Sequence, residues 1–494
     1  MPRLPFRHQR RDPPLVLGRT GPWSIFPAYR VPAPARRAHT YVIGVTGKGK
    51  SKLLEHCLYQ DIRAGRGCAL IDPHSDLAGD TLRYCLSRGA LTAGDARRVI
   101  TFDPTRRDHV IPFNVLATRG EPYEIAQSIV EAFRRTWPES LREAPHFSNV
   151  MLAALITLVE NELTLVDMHR LLTQHEWRER LLQHVGNREV VEFFHDRYDR
   201  WGRDAPAMRE STLNKVAAFT FNPHLRLALG QRENALDFRA IMDEGKVLLV
   251  DLGRCDGETR RLLGSLIVTG LEQAAVGRHD LPLEERRPFY AYIDEFQDFA
   301  ANPGSVKSLA QILSECRKFG LHLTLAHQSL SQIGERMRGA LGNVQTKVVF
   351  GVARADAEWF AREIGQVDPE AIKHEAQTDT QHPVFSPLGD QWEQLTAHLK
   401  LQPSRRATVA AQDGTVAQIW TISIPPYTAS PEAVEAFRAE SARLHGRPHR
   451  QVEQLLARDL VDRSPATNGS QKGRARQSGD IPEHVPDAVV PVPV

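Results

Sequence analysis

Residues 41–51 read YVIGVTGKGKS, an apolar run followed by a turn rich in glycine and lysine. The run Tyr41–Ile43 predicts a buried strand, and Gly44 opens the pattern G-x-x-x-x-G-K-[ST]. This pattern is the P-loop, whose backbone N–H groups surround phosphates. Apolar spacing from Ser51 to Ala64 predicts a helix directly afterwards. The phosphates would therefore lie at a helix N-terminus, where unpaired N–H groups favour anions.

The P-loop pattern supplies the predicted nucleotide-binding residues. Lys50 is expected to reach the β- and γ-phosphates of ATP, and the Ser51 hydroxyl is expected to ligate Mg²⁺. The predicted set comprises Gly44, Thr46, Gly47, Lys48, Gly49, Lys50 and Ser51.

Composition limits the class of protein. A chain of 494 residues with 41% hydrophobic residues predicts two or three domains with real cores. It has no apolar run of 18 residues and no signal-peptide pattern, so neither a membrane helix nor secretion is expected. Five scattered cysteines without a C-x-x-C pair indicate neither a zinc site nor a disulfide framework, which fits a cytoplasmic protein.

Charge is informative at the N-terminus only. The net charge of +3 is no global signature of nucleic-acid binding. Residues 1–40, however, carry eight arginines against one acid, Asp12. They fit a nucleic-acid arm, a contact to anionic lipid or a solubilising tail. We predict a mostly extended linker here, in which Trp23–Phe26 packs on the domain as a short strand.

Strands alternate with helices on both sides of a purely helical stretch. This pattern predicts an α/β fold with a mostly parallel sheet and helices on both faces, interrupted by an inserted all-α domain. The predicted parts are an Arg/Pro-rich arm (1–40), a discontinuous α/β core (41–118 and 240–400), the all-α domain (119–239), a β-hairpin with helices (401–462) and a disordered tail (463–494).

A second nucleotide motif follows the predicted strand Phe289–Ile293. Asp294 and Glu295 come directly after this apolar run, as in a Walker B motif. Asp294 is expected to hold Mg²⁺, and Glu295 to act as the general base on the attacking water. A carboxylate directed at water indicates hydrolysis of ATP.

Two further residues are candidates for catalysis. Gln328 follows the predicted strand 321–326, where its amide is expected to donate to a γ-phosphate or orient water. Arg317 closes the predicted helix 306–319. It fits an arginine finger that acts on a neighbouring subunit, and equally a charge that complements the helix dipole.

Six segments in order carry a family resemblance: GVTGKGKS, LIDPHSDL, FDPTRRDHVIPFNVL, YIDEFQDFA, LSECRKFGLHLTLAHQSLSQI and GNVQTKVVFGVARADAEWFA. Over residues 41–365 the chain resembles the HerA/FtsK superfamily of ring-forming DNA motors. It most resembles the coupling-protein ATPases of type IV secretion and conjugation. The resemblance implies a RecA-like core with an inserted all-α domain, and a homohexamer that moves DNA through its centre. It also implies that Arg317 is the finger and Gln328 the γ-phosphate sensor.

The chain departs from these relatives in three ways. It has no transmembrane helices before the P-loop, and its first forty residues are too few for the β-barrel of HerA itself. Lys48 stands where such loops usually have a small residue. A location at the inner membrane surface is therefore an alternative to a free cytoplasmic one. The alternative functions are a HerA-like motor working with a nuclease, a secretion ATPase acting on protein, and a nucleotide-gated platform that docks a relaxase or nuclease.

Overall fold

The computed structural model describes residues 12–137, 141, 146–202, 205–299, 309–310, 312–371 and 386–462. Its strands are β1 (Leu15–Arg19), β2 (Ala28–Val31), β3 (Thr40–Ile43), β4 (Gly67–Asp72), β5 (Val99–Phe102), β6 (His109–Val110), β7 (Val247–Asp251), β8 (Phe289–Ile293), β9 (Leu321–His327), β10 (Thr346–Val349), β11 (Arg406–Ala411), β12 (Val416–Thr421) and β13 (Arg447–Pro448).

Its α-helices within those residues are Ala33–Arg36, Lys50–Arg63, Asp76–Ser87, Pro122–Thr136, Phe147–Glu160, Met168–Thr173, His175–Leu182, Arg188–Glu192, Ala205–Thr220, Pro223–Leu229, Phe238–Glu244, Gly257–Val276, Glu335–Gly342, Arg354–Ile364, Leu388–Leu401, Pro431–His445 and His449–Asp462. In the part of the chain that is described, no helix is both long enough and apolar enough to span a membrane.

One large sheet organises the protein. Its strand order is β2-β1-β12-β11-β10-β3-β9-β8-β4-β7-β5. The strands from β10 to β5 run parallel, with β3 between β10 and β9. The strands β11, β12, β1 and β2 extend the sheet in antiparallel fashion. The predicted α/β class with a mostly parallel sheet is confirmed.

Helices cover both faces of this sheet, and alternate residues of a central strand therefore pack into two different cores. Tyr41 and Ile43 of β3 belong to one core, while Val42 packs into the other with Leu54 and Leu58 of the helix after the P-loop. This alternation is what a strand buried on both faces requires. It fixes the P-loop helix against the centre of the sheet.

The stretch predicted to be helical contains only helical elements among its described residues. Buried residues of its helices, such as Val150 and Leu155, lie in the same core cluster as Ile100 and Ile293 of the sheet. The helical segment therefore packs continuously against one face of the sheet. Its description as a separate inserted domain stays a prediction.

The N-terminal prediction is wrong for much of its length. Residues 15–31 are not an extended linker, because β1 and β2 join the main sheet through β12. Trp23 and Ile25 lie exposed in the turn between these strands and do not form a strand. Pairing with a strand about 400 residues away has no local signature. Residues 1–11 lie outside the described residues.

The C-terminal prediction is correct in its elements and different in its placement. The hairpin around Asp413–Gly414 is formed by β11 and β12, and two helices follow it. The hairpin is part of the main sheet, since β11 pairs with β10 and β12 pairs with β1. The predicted disordered tail, 463–494, lies outside the described residues, as does part of the predicted helix 306–319.

A buried ion pair joins the N-terminal segment to the core. Arg36 donates through Nη1 to Asp61 Oδ1 at 2.6 Å, and Tyr292 donates its hydroxyl to Asp61 Oδ2 at 2.7 Å. Arg66 also donates to Asp61, through Nη1 to Oδ1 at 3.0 Å. Arg36 and Asp61 are both buried. Arg36, which lies in the predicted extended arm, therefore connects the P-loop helix to β8.

We expect Asp61→Ala to lower the free energy of unfolding by about 3–5 kcal/mol, because it leaves the Arg36 guanidinium buried without a counter-charge. Denaturant unfolding measures this. The matched control is Asp280→Ala, which removes a carboxylate that is 59% exposed in its pair with Arg239. That exposed pair is expected to contribute about 1 kcal/mol or less. Equal losses in both variants would contradict the prediction.

Candidate nucleotide-binding site

The strand order brings the predicted motifs to one edge of the sheet. The P-loop follows β3, Gln328 follows β9 and Asp294 follows β8, and β9 lies between the other two strands. Because parallel strands end at the same edge, Gln328 lies between the P-loop and the Walker B pair. This edge is where open α/β sheets bind their ligands.

A chain of hydrogen bonds connects these motifs. Thr46 donates through Oγ1 to Gln328 Oε1 at 3.0 Å, and Gln328 donates through Nε2 to Glu295 Oε1 at 2.8 Å. Residues from three segments that are distant in sequence thus meet in one site. The amide of Gln328 contacts both the loop that would hold phosphate and the carboxylate that would activate water.

Glycine is required at three positions of the P-loop. Gly47 and Gly49 have φ of 79° and 110°, values that residues with a side chain rarely adopt. A Cβ on Gly44 would lie 2.6 Å from Phe350 Cβ. Gly49 is also the N-cap of the helix Lys50–Arg63, so the first N–H groups of that helix open into the loop. The loop has the backbone geometry of an anion site.

Lys50 lies buried between the loop and the carboxylates. Its Nζ donates to Gly44 O at 2.5 Å, and the residue is 7% exposed. Burial lowers the pKa of Lys50, whereas Glu295 and Asp294 act to raise it. The ammonium therefore lies among negative groups at the point where phosphates would add more negative charge.

Asp294 and Ser51 fit a magnesium ion. Burial, and then the charges of Glu295 and Asp72, raise the pKa of Asp294 to about 6. The buried carboxylates of Asp294 and Glu295 lie side by side with too little positive charge around them, and a divalent cation would supply it. Carboxylate and hydroxyl oxygens are hard donors of the kind that Mg²⁺ prefers. The site residues present are therefore chemically suited to Mg²⁺.

Glu295 is held by two amides, and sequence reasoning missed the second of them. Gln297 donates through Nε2 to Glu295 Oε2 at 2.8 Å. Its Oε1 is buried without a partner among the described residues. Glu295 itself has a φ of 44°, an uncommon value for a side-chain-bearing residue and one that often marks functional sites. The glutamine in YIDEFQDFA was the available signal.

Two predicted residues are placed differently from the rest. Lys48 lies in the loop, but its Nζ donates to the backbone oxygen of Gln402 at 2.7 Å. Arg317 is exposed in a 3₁₀ turn directly before β9, whereas Gln328 follows the other end of that strand. The seven residues of β9 span roughly 20 Å. Arg317 therefore lies at the opposite edge from the P-loop of its own subunit.

A buried histidine beside the site makes stability depend on pH. His327 bonds through Nε2 to the Tyr41 hydroxyl, and burial followed by the charge of Lys50 lowers its pKa to about 3. In the unfolded chain the histidine takes up a proton near pH 6.5, whereas in the folded chain it does so only near pH 3. The stability that the neutral His327 contributes to the fold is therefore lost as the pH falls from 6.5 towards 3.

When the pH is lowered from 7.5 to 5, the free energy of unfolding should fall in both proteins. We expect the fall to be about 2 kcal/mol smaller in His327→Gln than in the wild type, because glutamine does not titrate. Urea unfolding at the two pH values measures the difference. Identical losses would mean that His327 is protonated in the native state at pH 5.

A P-loop and an Asp–Glu pair on a mostly parallel sheet, with a glutamine on the strand between them, define the class of P-loop nucleoside triphosphatases. Residues 26–384 match the family model described as the type IV secretion-system coupling protein DNA-binding domain. This match covers more than half of the chain, and the chain belongs to that family. The resemblance inferred from the six motifs is confirmed.

Solved structures share the fold. The unbound bacterial conjugative coupling protein TrwBΔN70 is 18% identical, with a TM-score of 0.55 over 85% of this chain and 90% of that one. The plasmid coupling protein TrwB with ADP and Mg²⁺ is 18% identical, with a TM-score of 0.55 over 81% and 89%. VirB4 of Thermoanaerobacter pseudethanolicus is 13% identical, with a TM-score of 0.53 over 84% and 98%. Among curated proteins, none matches the chain.

Proposed function

We propose that this protein is an ATP-dependent DNA translocase, a coupling ATPase of conjugative transfer or type IV secretion. The observation that carries its ATPase activity is the hydrogen-bond chain from Thr46 through Gln328 to Glu295. These bonds join Gln328, the proposed γ-phosphate contact, and Glu295, the proposed general base, to the same P-loop. Action on DNA is supported by the family to which the chain belongs.

The residues of the site have distinct roles in hydrolysis. Lys50 leaves Gly44 O for the β- and γ-phosphates of ATP. Ser51 and Asp294 would hold Mg²⁺, which would supply positive charge to the phosphates. Gln328 donates to the γ-phosphate, and Glu295 accepts a proton from the attacking water. TrwB, which shares the fold, has been seen with ADP and Mg²⁺.

The assembly and its partners form the second part of the proposal. The protein acts as a homohexameric ring in the cytoplasm, at the inner membrane surface where it serves a secretion channel. A relaxase or nuclease delivers or processes the DNA. DNA is bound largely through its phosphates, so affinity falls steeply with salt. Arg317, at the far edge of one subunit, completes the nucleotide site of the next.

The test is the ATPase rate with single-stranded DNA, double-stranded DNA and no DNA, at two salt concentrations. We expect DNA to stimulate hydrolysis, and the stimulation to weaken at higher salt. Glu295→Gln is the background control. Turnover that DNA does not change would contradict the DNA motor and favour a secretion ATPase acting on protein. The absence of turnover in every condition would favour a docking platform.

Lys50→Ala is expected to weaken ATP binding by about 10- to 100-fold, the contribution of a charge-assisted hydrogen bond, while the fold is retained. Calorimetry and thermal unfolding measure the two properties. Lys52→Ala is the matched control, because Lys52 lies on the exposed side of the same helix as Lys50 and donates to Asp80 and Tyr427. Wild-type nucleotide affinity in Lys50→Ala would contradict the assignment.

A further inference from the structure

The P-loop is held from outside by residues 402–405, which we call the clamp segment. Ser404 donates through Oγ to Gly47 O at 3.0 Å, and the Arg405 N–H donates to Lys48 O at 2.8 Å. The third bond is the one from Lys48 Nζ to Gln402 O at 2.7 Å. The clamp segment leads directly into β11, so the antiparallel part of the sheet contacts the nucleotide-binding loop.

These bonds determine where the P-loop amides point. In a planar trans peptide, the C=O of one residue and the N–H of the next point in opposite directions. The hydrogen bond from Ser404 orients the Gly47 carbonyl towards the clamp segment, so the Lys48 N–H points to the opposite side. Arg405 draws the Lys48 carbonyl outward, so the Gly49 N–H is directed away from the clamp segment in the same way. The side opposite the clamp is the interior of the loop, where phosphate binds.

The clamp segment is itself firmly anchored. Gln402 is 1% exposed, donates through Nε2 to Val349 O at 3.1 Å, and accepts from the Thr408 hydroxyl at 3.2 Å. The Lys48 side chain passes over Gly351, where an added Cβ would lie 2.7 Å from Lys48 Cε. The unusual lysine of the P-loop therefore fits into a groove that ends at the Gln402 carbonyl.

We propose that Lys48 and Ser404 are positioning residues that orient the phosphate-binding amides of the P-loop, so that the clamp segment controls nucleotide affinity. This inference rests on the proposed function, because it concerns the same nucleotide site. Lys48 acts through the backbone, and its ammonium remains on Gln402 O when phosphate is bound. Nucleotide affinity is thereby linked to the position of the β11–β12 hairpin.

The first test measures the Kd for ADP with Mg²⁺ in Ser404→Ala. We expect an affinity loss of about three- to tenfold, the size of one neutral hydrogen bond, with an unchanged melting temperature because Ser404 is exposed. Ser404→Thr keeps the hydroxyl and is expected to restore the affinity. Ser423→Ala, at an exposed serine just after β12, is the matched control. Unchanged affinity in Ser404→Ala would overturn the proposal.

The second test combines Ser404→Ala with Lys48→Met, which keeps an unbranched apolar side chain and removes the ammonium. If both residues orient one loop, the double variant loses less affinity than the product of the two single losses. If the two losses multiply, Lys48 acts independently of the clamp, as a direct phosphate contact would, and the proposal is wrong.

These outcomes are separable from a failure of the proposed function. A wild-type protein that binds no ADP would contradict the nucleotide site itself. A wild type that binds ADP, together with clamp variants that bind it equally well, would contradict the clamp alone.

Discussion

Arg317→Ala should bind ATP as the wild type does and hydrolyse it about 10³-fold or more slowly, the effect of losing an arginine finger. The residue is exposed and lies at the edge of the sheet opposite its own P-loop. It therefore cannot reach the γ-phosphate in its own subunit. In the proposed ring, a neighbouring subunit would cover the P-loop edge, and a guanidinium from that neighbour would stabilise the charge that develops on the departing phosphate.

Mixing Arg317→Ala with Lys50→Ala tests action between subunits. Each variant alone should hydrolyse ATP poorly, but at mixed interfaces an intact P-loop meets an intact arginine, so part of the activity should return. Lys318→Ala is the matched control, since this exposed cation occupies the same turn and should remain active.

Two results would contradict the assignment of Arg317. Near wild-type activity of Arg317→Ala would mean that its charge only complements the end of a helix. Failure of the mixture to recover activity, with subunit exchange demonstrated, would mean either that the arginine acts within its own subunit or that the ring needs every site at once. Arg354 would then be the next candidate, whereas Arg338 is already held by two bonds to its own Leu330 O.

Glu295→Gln should hydrolyse ATP about 10²- to 10⁴-fold more slowly, because an amide cannot take a proton from water. Binding of ATP with Mg²⁺ should persist, since Lys50, Ser51 and Asp294 are unchanged. The variant should therefore retain bound ATP and keep the proposed ring assembled. Single-turnover hydrolysis and nucleotide retention after gel filtration measure the two properties.

Asp298→Asn is the matched control for Glu295→Gln. Asp298 is a half-buried acid in the turn after Glu295, and burial raises its pKa. Its substitution should leave turnover within about threefold of the wild type, because the general-base role is assigned to Glu295 and not to Asp298. If Glu295→Gln also stayed within that range, the general-base role would be wrong.

Local sequence patterns were sufficient for the class of fold and for its family. The P-loop spacing, the apolar run before Asp294 and the strand before Gln328 each occupy a few consecutive residues. Their chemistry requires fixed spacings, and buried parallel strands require continuous apolar runs. The mostly parallel sheet and the coupling-protein family were therefore predicted from sequence and are confirmed.

Tertiary structure alone decided how distant segments meet. The clamp bond between Ser404 and Gly47 joins residues 357 apart in sequence, and β1 pairs with β12 across a similar separation. Tertiary structure also brought the Gln297 amide into a hydrogen bond with Glu295, and it put Arg317 at the edge of the sheet opposite the P-loop. Such contacts leave no periodic or local signal, because they depend on strand order and on the backbone path between elements. The sequence determines the chemistry that each segment carries, whereas the packing of the sheet determines which segments act together.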